Sequence, residues 1–168
     1  MYHIADCRPP HSQASSAVDQ CRPNLAYTLA SAGASMCVQL GYHHLTSAQV
    51  KTKDGQAQQY LFWMFYMMDH GFAITLGRTP VAPDWDITTP TPRDVQSGSL
   101  FMHMMGYWTE LAQVQGQVVE QLFSPAAMQL SLESRSYRAN ALVNALQDAW
   151  QRRIEVISNA PFSNTKRH

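Results

Sequence analysis

The sequence predicts an all-α fold, an irregular bundle of about four main helices with a proline-rich loop between the central ones. Apolar residues recur three and four positions apart over long stretches, which is the period of an amphipathic helix. The alternation that marks a half-buried strand is absent over any useful length, and β-branched residues are sparse. With 168 residues, 45% of them hydrophobic, the chain is long enough for one domain with a substantial core.

The first two helices are predicted over residues 24–40 and 58–76. In the first, Asn24 is placed to cap the helix and Gly41 to end it in a left-handed conformation. Its apolar stripe comprises Leu25, Leu29, Ala32, Met36 and Leu40. The second helix is apolar on nearly every side, as is typical of the middle of a bundle. Its main stripe comprises Leu61, Phe65, Met68, Phe72 and Leu76.

The two helices are joined by a polar connector, residues 46–56, which we interpret as a surface loop that includes a short helical turn. Gly77 then ends the second helix, and four prolines within residues 78–93 predict an extended, irregular connection. Helix resumes near Ser97 and carries the longest regular stripe of the sequence. That stripe comprises Leu100, Met104, Tyr107, Leu111, Val114, Val118 and Leu122.

Near the end of the chain, Ser124 and Pro125 predict either a break or a new short helix. The last helix is predicted over residues 135–157, with Pro161 beyond its end. Its stripe comprises Leu142, Leu146, Ala149, Trp150, Arg153, Ile154 and Ile157. The resulting organisation is a leader at 1–23, a helical domain at 24–160 and a tail at 161–168.

Composition and charge argue against several classes of protein. The formal net charge is zero and only 14% of residues are charged, so no electrostatic footprint for nucleic acid or an anionic membrane is visible. The longest apolar run, residues 61–68, is less than half of the roughly 20 residues that a transmembrane helix requires. The first residues do not form a secretory signal. We therefore expect an intracellular chain with no membrane contact.

Metal and cofactor sites are not expected either. Cys7, Cys21 and Cys37 are an odd, widely spaced set that fits reduced thiols, and no close cysteine pair offers a zinc site. His43 and His44 are adjacent on a predicted loop and do not share a helical face. We expect the chain alone to bind neither zinc nor duplex DNA.

The sequence also lacks the common catalytic motifs. It contains no nucleophile elbow, no phosphate-binding loop and no dinucleotide fingerprint. Asp84 and Asp86 are two residues apart in a predicted extended loop, so their carboxylates should point to opposite sides and play a structural role. We conclude from the residues that the protein is not an enzyme.

One acidic residue, Asp69, lies inside the most apolar helix, where an unpaired charge would be costly to bury. Arg78 is the first cation after that helix, and Gly77 could turn the chain back toward it. We predict a buried Asp69–Arg78 ion pair. The alternative is that Asp69 faces solvent and Arg78 is only a loop cation.

A family resemblance rests on two motifs in order. The aromatic segment Phe62-Trp63-Met64-Phe65-Tyr66-Met67-Met68-Asp69 continues through Leu76-Gly77-Arg78-Thr79-Pro80 to Pro83-Asp84-Trp85-Asp86-Ile87 and Pro92. It resembles the signature of the fungal-specific transcription factor domain, also called the middle homology region or the xylanolytic-activator regulatory domain. Upstream, Leu40-Gly41-Tyr42-His43 resembles that family's Leu-Gly-Leu-His. The matching positions are Gly41, His43, Phe62, Trp63, Tyr66, Asp69, Gly77, Arg78, Asp84, Asp86 and Pro92.

The resemblance covers about residues 25–150 and includes departures. Gln58 and Gln59 stand where a basic pair is usual, and Thr79 delays the proline by one position. The family normally has several helices before its Leu-Gly-x-His helix, so we expect a domain truncated at its front. We also expect the fragment to be poorly soluble or to self-associate, because missing helices would leave apolar faces of the second helix uncovered.

The resemblance implies a nuclear regulatory domain that controls transcription through inducer or protein contacts. Its partners would be the transcription machinery or regulatory proteins, with a small-molecule inducer and a homodimer as further partners. In the family, DNA is read by an upstream six-cysteine zinc cluster, which three cysteines cannot build, so zinc and DNA would be bound only by that absent module. Two alternatives are a stand-alone truncated helical protein that binds a small apolar ligand or partner, and an unrecognised enzyme.

Overall fold

A computed structural model describes residues 22–92 and 100–158. Its helices are α1 (Pro23–Gln39), α2 (Lys53–Leu76), α3 (Leu100–Val118), α4 (Pro125–Met128) and α5 (Leu132–Ser158). Three 3₁₀ turns lie at Tyr42–His44, Gln49–Lys51 and Asp84–Asp86, and a π-helical turn, Val119–Phe123, continues α3. No strand occurs within the two described ranges, and four of the helices have seven or more residues, which confirms the predicted all-α class.

The chain divides into two compact units, one through Thr89 and the other from Pro90. The first contains α1, α2 and the loop that follows α2. The second contains α3, α4 and α5. None of the helices in the described ranges is long and apolar enough to cross a membrane.

Both ends of α1 depend on backbone geometry. Pro23 occupies the first turn and no side chain caps the helix, so the predicted cap at Asn24 is wrong. At the other end, Gly41 has a φ of 76°, as predicted for a left-handed terminator.

The helix α2 begins five residues earlier than predicted, because Thr52 caps it by accepting a 3.0 Å hydrogen bond from the Gly55 N–H.

The buried face of α1 is made of small residues and is not the predicted stripe. It comprises Ala26, Ala30, Gly33, Ala34 and Cys37, whereas Leu25, Met36 and Leu40 are exposed. A Cβ atom at Gly33 would overlap the ring of Phe65 in α2, so the missing side chain lets the two helices approach closely. Burial raises the pKa of the Cys37 thiol to about 11, which keeps this free cysteine protonated and inert.

The buried face of α2 combines aromatic rings with polar groups. Trp63 packs edge-on against Phe62 and Tyr66, with ring centroids 5.0 and 5.1 Å apart. The rest of the face comprises Gly55, Gln59, Phe65, Asp69, His70 and Ala73. Of the predicted stripe only Phe65 is buried, since a helix that is apolar all round does not reveal which side faces its neighbours.

In the second unit, α3 also buries a face beside its predicted stripe, at Met105, Thr109 and Ala112. Of the two alternatives predicted at Ser124 and Pro125, a break or a short helix, the structure has the short helix α4. Ser124 caps it by accepting a 3.1 Å hydrogen bond from the Ala127 N–H. Helix α5 begins three residues before the predicted start and buries Leu142 and Ala149. Its Arg152 donates a 3.1 Å hydrogen bond to Glu110 of α3. The predictions for residues 1–21, Ser97 and Pro161 lie outside the described residues.

Candidate functional site

Residues 78–89, which we call the tethered loop, follow α2 and run back along the first unit. Gly77, with a φ of 65°, ends α2, and the Arg78 N–H donates a 2.8 Å hydrogen bond to the Ala73 carbonyl. The Arg78 guanidinium lies 4.7 Å from the ring centroid of Tyr27 and donates a 2.8 Å hydrogen bond to Asn24. The Tyr27 hydroxyl donates to the carbonyl of Thr79. These contacts hold the start of the loop to α1.

Asp69 is fully buried and takes its partners from α1 and from the loop. Its carboxylate accepts 2.6 Å hydrogen bonds from the Ser31 hydroxyl and from the Val81 N–H. Burial raises its pKa, and the hydrogen bonds from Ser31, Val81 and Ala82 oppose that increase. The predicted ion pair with Arg78 is therefore wrong. Hydrogen bonds satisfy the carboxylate, and Arg78 is held at the surface.

The next contacts involve Tyr66, His70 and Asp84. The Tyr66 hydroxyl donates a hydrogen bond to the Asp84 carboxylate. His70 Nδ1 lies 2.9 Å from the Tyr66 carbonyl, which can only accept, so this nitrogen carries the proton. Burial lowers the pKa of His70 to about 4, and burial together with the Asp84 charge raises the pKa of Tyr66. Both rings therefore stay uncharged near neutral pH.

Asp86, two residues further, faces the 3₁₀ turn after α1. Its Oδ2 lies 3.6 Å from His43 Nε2, and its Oδ1 lies 3.4 Å from His44 Nε2. The His44 Nε2 also lies 2.7 Å from the Asp86 carbonyl oxygen. Burial, and then the nearby His44, lower the pKa of His43, while Asp86 acts in the opposite direction. Asp84 and Asp86 thus contact different groups, and their backbone is a 3₁₀ turn instead of the predicted extended loop.

The end of the loop is fastened by backbone hydrogen bonds. The N–H groups of Thr88 and Thr89 donate to the His43 carbonyl over 2.9 and 3.0 Å. The Thr89 hydroxyl donates to the Tyr42 carbonyl over 2.7 Å and accepts from the Leu45 N–H over 2.8 Å. Between these anchors, the side chain of Trp85 is 82% exposed. The loop that presents this large aromatic group to solvent is therefore held by hydrogen bonds on both sides of it.

The first unit brings together ten of the eleven residues singled out in the sequence. These ten lie around the tethered loop or in the core beneath it. They are Gly41, His43, Phe62, Trp63, Tyr66, Asp69, Gly77, Arg78, Asp84 and Asp86. The eleventh, Pro92, is buried and belongs to the second unit.

Sequence reasoning missed several partners of the loop. Ser31, Asn24 and Thr89 are ordinary polar residues whose types and spacing carry no signal for a distant partner. Only the fold brings Ser31 to Asp69, 38 positions along the chain, and Thr89 to Tyr42, 47 positions away.

In the described residues, the first unit is a pair of helices whose buried polar groups hold a surface loop through hydrogen bonds. The chain belongs to the family described as the fungal specific transcription factor domain, whose model matches residues 18–155. This finding confirms the resemblance. The family comprises transcription-factor regulatory domains and is not an enzyme family. A comparison with curated proteins and with solved structures finds no match.

Proposed function

We propose that the chain controls DNA-templated transcription in the nucleus by contacting regulatory proteins or the transcription machinery. The observation that carries this proposal is the family match over residues 18–155. DNA would be read by another module, because three cysteines cannot supply a six-cysteine zinc cluster and the net charge is zero. An inducer or a second copy of the chain would act by changing these protein contacts.

Trp85 is the residue that we assign to the protein contact. Large aromatic side chains dominate the free energy of protein binding, provided that they become buried in a pocket of the partner. Trp85 is 82% exposed at the tip of the tethered loop, whose neighbours Asp84 and Asp86 are held from two sides. A loop that is already held by hydrogen bonds on both sides loses less conformational entropy when it binds than a free loop does.

A reporter assay tests the proposal. The full 168-residue chain is fused to an unrelated DNA-binding domain in a fungal cell, and reporter transcription is compared with that from the DNA-binding domain alone. We expect the chain to change transcription and Trp85→Ala to remove most of that change at equal protein level. Trp108→Ala is the matched control, because Trp108 is a partly exposed tryptophan of α3 outside the loop.

Two outcomes would contradict the proposal. An inert fusion would argue against a regulatory role and favour the alternative of a stand-alone protein that binds an apolar ligand. An active fusion that responds equally to both tryptophan substitutions would remove Trp85 from the contact and leave only the family-level role.

A further inference from the structure

Three side chains that bind metals well converge where the tethered loop meets the turn after α1. His43, His44 and Asp86 each offer one ligand atom, and these atoms all lie within 4.8 Å of one another. The two imidazole rings lie side by side, with centroids 3.8 Å apart. The sequence does not predict this arrangement, because the side chains of adjacent residues normally point in different directions. The 3₁₀ turn Tyr42–His44 brings both rings to the same side.

The distances between these groups suit metal coordination better than direct hydrogen bonding. The carboxylate of Asp86 lies 3.6 Å from His43 Nε2 and 3.4 Å from His44 Nε2, beyond the usual 2.7–3.2 Å of a hydrogen bond. Two ligands that each lie about 2.1 Å from a tetrahedral ion are separated by about 3.4 Å. The carboxylate is therefore separated from each imidazole nitrogen by nearly the distance between two ligands of one ion, and all three ligand atoms lie within 4.8 Å of one another.

The environment of His43 leaves its Nε2 available to an ion. This side chain is buried, with 8% of the residue exposed, and its Nδ1 has no hydrogen-bond partner. Its other nitrogen is directed at Asp86, at the 3.6 Å distance given above. With Nε2 bound to an ion, Nδ1 would carry the ring proton, and the buried imidazole would gain one partner at Nε2.

His44 already has one partner, which the ion must replace. Its Nε2 lies 2.7 Å from the Asp86 carbonyl oxygen, so in the metal-free ring this nitrogen carries the proton. Coordination needs the lone pair of Nε2, and the proton then moves to Nδ1. Nearly half of the His44 side chain is exposed, 48%, so water can accept a hydrogen bond from the protonated Nδ1.

We propose that His43, His44 and Asp86 bind one divalent transition-metal ion of the zinc class, with water in the remaining position. Two imidazoles and a carboxylate match the ligand preferences of Zn²⁺, Co²⁺ and Ni²⁺. The ion would join the turn after α1 to the turn that carries Trp85. This site is distinct from any six-cysteine cluster, and it reverses the expectation that the chain alone binds no zinc.

The test is a titration of the full chain without a histidine tag, after treatment with a chelator and dialysis. Calorimetry with Zn²⁺ should give one site per chain, and Co²⁺ should give a visible absorption band of a low-coordinate centre. We expect His44→Gln and Asp86→Asn each to weaken binding by about tenfold or more. Both positions are partly exposed, and glutamine can still donate to the Asp86 carbonyl, so a loss of affinity reports lost coordination.

Asp148→Asn is the matched control, because it removes an exposed carboxylate of α5. It should leave the affinity unchanged, and circular dichroism should give the same helical signal for all variants. The absence of a saturable site would overturn the proposal. Equal affinities in the wild type and the two ligand variants would also overturn it, since the ion would then bind elsewhere on the chain.

Discussion

The hydroxyl of Ser31 in α1 donates a 2.6 Å hydrogen bond to the carboxylate of Asp69 in α2. The same carboxylate accepts a second hydrogen bond of 2.6 Å from the Val81 N–H in the tethered loop. One fully buried group thus joins two helices and a loop that are distant in sequence. Because hydrogen bonds to a charged acceptor are the stronger ones, this junction offsets the cost of burying an acid in an apolar helix.

Replacing Asp69 should therefore destabilise the first unit in a way that depends on the substitute. Asp69→Ala leaves the Val81 N–H without its acceptor and should lower the free energy of unfolding by about 1–3 kcal/mol. Asp69→Asn should cost less, because the amide can accept from Val81 and donate to the Ser31 hydroxyl. Urea unfolding followed by circular dichroism measures both changes.

Arg78→Ala is the control for that comparison. Arg78 is exposed and its contacts are one hydrogen bond and one ring contact, so its loss should cost less than about 1 kcal/mol. If Arg78→Ala were as damaging as Asp69→Ala, and the double variant no worse than either alone, the two residues would act as a pair after all.

The sequence predicted the helices of this protein better than the faces they bury. Gly41 and Gly77 end α1 and α2 as predicted, because a left-handed residue is a local requirement that glycine meets. The stripe of large apolar residues on α1 was a wrong guide, since the face that packs against α2 is formed by Ala26, Ala30 and Gly33. An apolar pattern with the helical period is recognised by its large residues, whereas two helices can approach closely only where the residues between them are small.

The candidate site was predictable only in part, for a similar reason. Asp69 could be recognised as a residue in need of a partner, because a lone carboxylate in an apolar helix is unusual. Its actual partners are a serine hydroxyl and a backbone N–H, groups that occur throughout any sequence. The fold selects among them, and no local pattern distinguishes Ser31 from the other serines.

The close contact between α1 and α2 predicts a large effect of a small substitution. Gly33→Ala places a methyl group on the ring of the buried Phe65. It should cost about 1–3 kcal/mol despite the better helix propensity of alanine. Thermal unfolding measures this cost. The control is the same substitution in a Phe65→Leu background, where the methyl group has room. A cost that is equal in both backgrounds would contradict the steric explanation.

The exposed surface of α5 predicts self-association of the chain. Val143, Leu146, Trp150 and Ile154 lie three and four positions apart and are each 42–51% exposed. We expect the apparent mass in light scattering to rise with concentration, since such a stripe is costly to leave in water. Leu146→Glu should reduce this rise, whereas Asn144→Glu, which adds the same charge at an exposed position of α5, should not. A monomer at every concentration would contradict the prediction.

The buried imidazole of His70 predicts a loss of stability in mild acid. Burial lowers its pKa from 6.5 to about 4, so the unfolded chain binds a proton at a higher pH than the folded chain does. The stabilising contribution is then complete above pH 6.5 and decreases as the pH falls toward 4. For these two pKa values the loss of unfolding free energy between pH 7 and pH 5 is about 2 kcal/mol.

The variant His70→Asn can still donate a hydrogen bond to the Tyr66 carbonyl. Its free energy of unfolding should fall by about 2 kcal/mol less than that of the wild type over this pH range. Urea unfolding at pH 7, 6 and 5 provides the measurement, with His44→Gln as a control that removes an exposed imidazole and keeps the contribution of His70. If the free energy of unfolding of the wild type and of His70→Asn changed with pH in parallel, His70 would have the same pKa in the folded and unfolded chains, which would contradict the prediction.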